Sequence, residues 1–268
     1  MTNTAHAKPA GTGRYSGLLA LALSLASTLT HGAPDPKEVN NGTNPVPSTA
    51  PVASATLTAR QQAIVPIAAF AAAGNMAKLD MALHQGLDAG LTVSDTKEIL
   101  VQLYAYAGFP RSLNALGGLM QVLEARKQRG IADASGALPG RAIPKGDALI
   151  AAGTANQTRL SGGPVGGALF DFEPAIGEYL KTHLFGDIFE RDNLDWQSRE
   201  LATVGMLSAL PGAESQLQAH MRISMNVGLS AGQLRQLTQV LDKRVDAEFA
   251  QRASQALDRH LASVSGKG

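Results

Sequence analysis

From Thr58 onward the apolar residues Ile64, Ile67, Ala68 and Ala71 recur at helical spacing, and Gly74 and Asn75 then interrupt the run. Met76, Leu79, Leu83 and Leu87 form a second stripe. It closes at Gly90, the residue type best able to adopt the left-handed backbone at a helix end. Thr92 or Ser94 can cap a third helix through Ile99, Leu103 and Tyr106, which stops at Gly108 and Pro110. A fourth, Leu-rich helix ends in Arg126, Lys127 and Arg129 before Gly130, with its cations at the favourable end of the helix dipole.

The same order returns in the second half: a helix from Trp196 to Leu210, a break at Pro211 and Gly212, a helix closing at Gly228, and a cap at Ser230. Gly74 and Gly212 are separated by about 138 residues, as are Gly90 and Gly228, a fixed period that marks an internal repeat. At that offset Leu79 meets Leu217, Leu83 meets Met221, Leu87 meets Met225, Leu91 meets Leu229 and Lys97 meets Arg235. Any two amphipathic hairpins align somewhere, so it is the joint retention of apolar faces and breakers that supports the repeat.

Between the halves, Gly130 to Gly167 is rich in Gly, Pro and Ala, and is too long for an ordinary connection inside a compact domain. It suits a lid or a partner-wrapping arm. Phe170, Phe172, Phe185 and Phe189 follow at helix-like spacing, as ordinary core or as the apolar wall of a pocket or interface.

The N-terminus has the pattern of a targeting segment. Lys8 and Arg14 precede an apolar run from Leu18 to Leu29 that is too short to span a bilayer and is followed by small residues, with cleavage expected after Gly32. No Arg pair precedes the run and no Cys follows it, which fits a general secretory signal peptide and a periplasmic or secreted product without membrane attachment after cleavage. The segment between Pro34 and Pro51 is rich in Pro, Asn, Thr and Ser and reads as a disordered spacer. The expected organisation is therefore a signal peptide over 1–32, a spacer over 33–55, repeat one over 56–130, a linker over 131–170 and repeat two over 171–268.

Composition narrows the chemistry. Basic and acidic residues number 23 and 22, so no global field favours nucleic acid as a partner. Aromatic residues make up only 4% and Ala, Leu and Gly dominate, which favours close-packed helices and an all-α class. Cysteine is absent, which excludes disulfides, thiolate metal sites and thiol nucleophiles. HExxH, clustered metal ligands, a phosphate loop and a Ser-centred elbow are not found, so neither a metal nor another cofactor is expected.

Two motifs carry a family resemblance. The run Gln102-Leu-Tyr-Ala-Tyr-Ala-Gly-Phe-Pro-Arg-Ser-Leu-Asn114 resembles the "YAGxP" signature that ends the carboxymuconolactone decarboxylase unit. Arg199-Glu200-Leu201, then Gln-Leu-Gln-Ala-His220-Met-Arg222 and Met225-Asn226-Val-Gly228, resemble the "RE…LxxHxRxALNxG" portion of the same unit. Together they cover about Thr58 to Arg129 and Asp195 to Leu241. The resemblance implies an all-α protein of two tandem helical units with the alkylhydroperoxidase D-like fold, joined by an irregular linker. Relatives of this kind assemble into rings, which implies a homo-oligomer, specifically a trimer of tandem chains.

The halves depart from the pattern in complementary ways. Gln62 and Ala82 occupy the repeat-one positions of Glu200 and His220, whereas repeat two has Val240-Leu-Asp-Lys-Arg244 in place of "YAGxP". One composite site follows, with Glu200 and His220 pointing into a cavity that faces Tyr104 or Tyr106.

The resemblance implies a decarboxylase-like lyase acting on a small lactone or cyclic keto acid by cofactor-free acid–base chemistry. His220 would carry the proton, Glu200 would orient it, and Tyr104 or Tyr106 would donate to the developing oxyanion. Arg222 or Arg199 would hold the carboxylate in a two-point grip. Asn226, Tyr106 and Pro110 would complete the substrate-binding surface. The bland alternatives are an edge-of-core histidine at His220, a solvated Arg199–Glu200 pair, and a non-catalytic small-molecule-binding or assembly protein of the same fold. The superfamily's peroxidase chemistry needs a Cys-x-x-Cys pair ahead of the histidine, where this chain has Ala213 and Gln216. His84 is expected to be an exposed residue without a role in the chemistry.

Overall fold

The computed structural model describes residues 56–266, and within them the chain is all-helical with no strand. The expected signal peptide and spacer lie outside the described residues. Five helices make up the first half: α1 (Ala59–Ala73), α2 (Met76–Asp88), α3 (Val93–Gln102), the short α4 (Tyr104–Ala107) and α5 (Phe109–Gln128). An inserted group follows, with α6 (Asp147–Ser161), α7 (Ala168–Phe172), α8 (Pro174–Tyr179) and a π-helix over Leu180–Ile188. The second half contains α9 (Trp196–Ser208), α10 (Glu214–Asn226), α11 (Ala231–Arg244) and α12 (Ala247–Ser265).

Local chemistry sets these boundaries. Thr58, Thr92 and Ser230 each accept from the backbone three residues on, and Gln61, Asp95 and Gln233 reach back to complete capping boxes. Gly74, Gly90, Gly212 and Gly228 all have positive φ at the breaks between helices. The about-138-residue offset seen in the sequence carries the first residues of α2, α3 and α5 onto those of α10, α11 and α12.

The centre of the core is the contact between α1 and α9. From Ala63 to Ala72 every residue of α1 is buried, so this helix is enclosed on all sides rather than amphipathic. Gly205 allows the close approach: a Cβ there would lie 3.0 Å from the Val65 carbonyl oxygen and 3.2 Å from Ala68 Cβ. Helices α2 and α5 flank α1, while α10 and α12 flank α9.

The segment between the halves is not the irregular linker that its Gly and Pro content predicts. Its run of Ala, Leu and Ile after Asp147 forms α6, which ends at Gly162 in the left-handed conformation. Helix α6 packs on the π-helix so closely that a Cβ on Gly153 would fall 1.8 Å from the Lys181 carbonyl oxygen. The irregular stretch before α6 straps the first half, since the Val93 and Ser94 N–H groups at the start of α3 donate to the Ala134 and Ser135 carbonyls.

The Phe-rich stripe divides. Phe185 and Phe189 form a second apolar cluster with Leu160, Leu184, Ile188 and Ile223, against which Tyr104, Tyr106 and Trp196 pack. Phe172 remains 86% exposed.

Candidate active site

Asp195 caps α9 by accepting from the Ser198 N–H, and this places Arg199, Glu200 and Thr203 in the first two turns of a buried helix. Helix α10 packs beside it and carries His220. Glu200 is 0% exposed and His220 8%, and His220 Nδ1 lies 2.8 Å from Glu200 Oε2. The contact engages Nδ1 with the carboxylate and leaves Nε2 as the ring nitrogen free to face a reactant. The second oxygen, Glu200 Oε1, is buried and has no hydrogen-bond partner among the described residues.

Tyr106, from α4 of the first half, meets the His220 ring edge-on with centroids 5.7 Å apart. Its hydroxyl lies 3.3 Å from Thr203 Oγ1. Gln102 Nε2 donates to that same Thr203 oxygen at 2.7 Å and to the Arg199 carbonyl at 3.0 Å. Burial, and then the negative charge of Glu200, push the Tyr106 hydroxyl far above the usual phenol range. Tyr106 therefore stays protonated and serves as a donor, not a base.

Below this layer is an ion cluster. Arg199, 0% exposed, donates from Nη2 to Glu98 Oε2 at 3.0 Å and to the Arg191 carbonyl at 2.9 Å. Arg191 grips the same carboxylate through Nε and Nη2, the closer contact being 2.6 Å. Burial alone would raise the Glu98 carboxyl, but the Arg191 hydrogen bond and the Arg199 charge outweigh it and hold Glu98 below the ordinary carboxylate range.

The structure brings together three of the residues singled out in the sequence: Glu200, His220 and Tyr106. The others lie apart from them. Tyr104 stacks on Phe109 with centroids 4.6 Å apart, and Pro110 is exposed at the start of α5. Arg199 is engaged by Glu98. Asn226 donates to the Leu160 carbonyl at 2.9 Å and so ties α10 to α6. Arg222 lies two positions beyond His220, about 200° around the helix, and its charge reaches His260 on α12. His84 is half-buried beside Arg126 and Arg129, not exposed.

Residues 174–259 match the family model described as Carboxymuconolactone decarboxylase family. No curated protein matches the chain. The matched segment supplies Glu200, Thr203 and His220, whereas Glu98, Gln102 and Tyr106 come from outside it. The sequence motifs do not mark Glu98, Gln102 and Thr203 as site residues. Their signal is spacing: Glu98, Gln102 and Tyr106 fall four apart, as do Arg199 and Thr203, so each set recurs on one helix face.

Acid should destabilise the fold in two steps. Burial, and then the Arg222 charge, hold His260 below its ordinary 6.5, so its contribution is complete above that value and declines as pH falls below it. Asp95 and Glu98 are held below their ordinary 3.8 and 4.5, so their contributions are lost at still lower pH, as each falls through its folded value. Urea unfolding followed from about pH 8 to 3 reads both steps, and a flat profile over that range would count against this assignment.

Proposed function

We propose that this protein is a carboxymuconolactone decarboxylase-like lyase that removes a carboxyl group from a small lactone or cyclic keto acid without a metal or organic cofactor. The observation that carries the reading is the buried His220–Glu200 hydrogen bond with Tyr106 against the imidazole. The bond between the ring carbon and the carboxylate breaks, carbon dioxide leaves, and the electron pair passes into the carbonyl system as a dienolate. Tyr106 donates to the developing oxyanion. His220 Nε2 then delivers a proton to carbon and is reprotonated from solvent, while Glu200 holds Nδ1. An arginine clamp is not required by this scheme. A cation would stabilise the substrate carboxylate most strongly before its charge is dispersed, which works against the reaction. The test is carbon dioxide release from a panel of lactone acids and cyclic keto acids, followed together with thermal stabilisation. Ligands that stabilise without turnover would sink the lyase reading.

We further propose that the chain is an exported tandem of two such units. The support is the coincidence of helix starts and positive-φ glycines at one offset, with the pattern of Lys8, Arg14 and the apolar run after them. Phe109, Leu113 and Met120 lie along one face of α5, each more than half exposed, which supports assembly into a homo-oligomer with a trimer expected. The same observation favours a second reading, a binding or assembly protein of this fold. Light scattering that finds a monomer at micromolar concentration would exclude the oligomer.

A further inference from the structure

Helices α6, α7 and α8 and the start of the π-helix border a cavity of about 440 Å³, within the range of roughly 300–1,000 Å³ found for small-molecule sites. It is separate from the acid–base pair, since none of Glu200, Tyr106 and His220 lines it. Ile150 of α6 and Phe170 of α7 give it an apolar wall. Gly177 of α8 makes room for the Phe170 ring, because a Cβ there would lie 3.1 Å from Phe170 Cδ1.

The polar lining is made of groups without protein partners. Buried side-chain amides elsewhere in the fold are engaged: Gln102 donates to the Arg199 carbonyl and to Thr203, and Gln233 closes a capping box. Gln157 differs. It is 5% exposed and lines the cavity, and its amide makes no hydrogen bond to a described residue, so its N–H groups and carbonyl oxygen are left to an occupant. Lys181, half-buried, also lines the cavity and forms no ion pair with a described residue, although Glu178 lies three residues before it. Asp171 and Glu178 complete the lining as exposed carboxylates without a cation among the described residues.

The shielded groups are therefore an amide and an ammonium, and the exposed ones are two carboxylates. A simple anion would answer Lys181 but meet the repulsion of Asp171 and Glu178, and a simple cation would leave Lys181 unmatched. Water solvates every charge but leaves the wall of Ile150 and Phe170 uncovered. We propose that this cavity binds a small zwitterion of the amino-acid type with an apolar side chain. Its carboxylate accepts from Lys181 and the Gln157 amide, its ammonium faces Asp171 and Glu178, and its side chain covers Ile150 and Phe170.

The test titrates L-phenylalanine into the full chain, with hydrocinnamate and phenethylamine as the same body lacking the ammonium or the carboxylate. Calorimetry and the Gln157 side-chain amide resonances are followed together. The expected result is saturable binding of L-phenylalanine with a Gln157 shift at the same midpoint, and binding of each truncated probe at least ~10-fold weaker. Gln157→Met and Lys181→Met should each weaken L-phenylalanine binding by a similar factor. Gln157→Met should leave the melting temperature of the free protein unchanged, because no hydrogen bond within the protein is lost. The proposal is overturned if L-phenylalanine does not bind, if hydrocinnamate or phenethylamine binds as tightly, or if the Gln157 amide stays still at saturation.

Discussion

Replacing Glu98 by alanine is expected to lower folding stability by about 3–5 kcal/mol, the range for removing one partner of a buried ion pair. Arg199 would then hold an uncompensated charge at 0% exposure, and the 32%-exposed Arg191 would lose its partner as well. Arg191→Gln should have a much smaller effect, because Arg191 reaches solvent and Glu98 keeps Arg199. The double change of Glu98 and Arg199 to methionine should recover much of the loss, since no buried charge is then left alone. Urea unfolding of the three variants decides it. Equal losses for Glu98→Ala and Arg191→Gln would mean that the cluster is not the buried tie described here. The cluster also supports the site, because the Arg199 carbonyl and Thr203 together hold the Gln102 amide.

Replacing His220 by glutamine is expected to reduce turnover by about 10²–10⁴-fold while changing stability by less than about 1 kcal/mol. The amide can still donate to Glu200, so the buried carboxylate is not stranded, but it has no titratable nitrogen to move a proton. A purely structural histidine would give the reverse outcome: a stability loss of about 1–3 kcal/mol for a disrupted buried polar contact, with binding and turnover otherwise intact. Tyr106→Phe supplies the companion measurement. It removes the oxyanion donor and leaves the ring against His220, so it should lower kcat more than it raises KM.

The helices were legible in the sequence because breakers and apolar periodicity agree. The stops at Gly74, Gly90, Gly212 and Gly228 all have the left-handed backbone that glycine favours. Helix α6 was not legible, since its surroundings are rich in Gly and Pro and its own apolar residues, Leu149 and Leu160, bury against the π-helix and its neighbours rather than the main core. In the site, the pairing of Glu200 with His220 and the approach of Tyr106 were legible from complementary loss between the halves. The directions of the arginines were not, because a guanidinium follows the nearest buried carboxylate, and sequence alone does not place Glu98 beneath Arg199. Tyr104 shows the same limit: it lies two residues from Tyr106 on a short helix, and Phe109 captures its ring.

If the proposed reaction holds, His220 meets a substrate and is not sealed into the core. The direct measurement is the nitrogen spectrum of the His220 ring in histidine-labelled protein, with and without an acid from the turnover panel or its inert saturated analogue. Nε2 is expected to shift on binding while Nδ1 keeps the signature of its hydrogen bond to Glu200. A ligand that binds saturably and leaves both His220 nitrogens unmoved would contradict it.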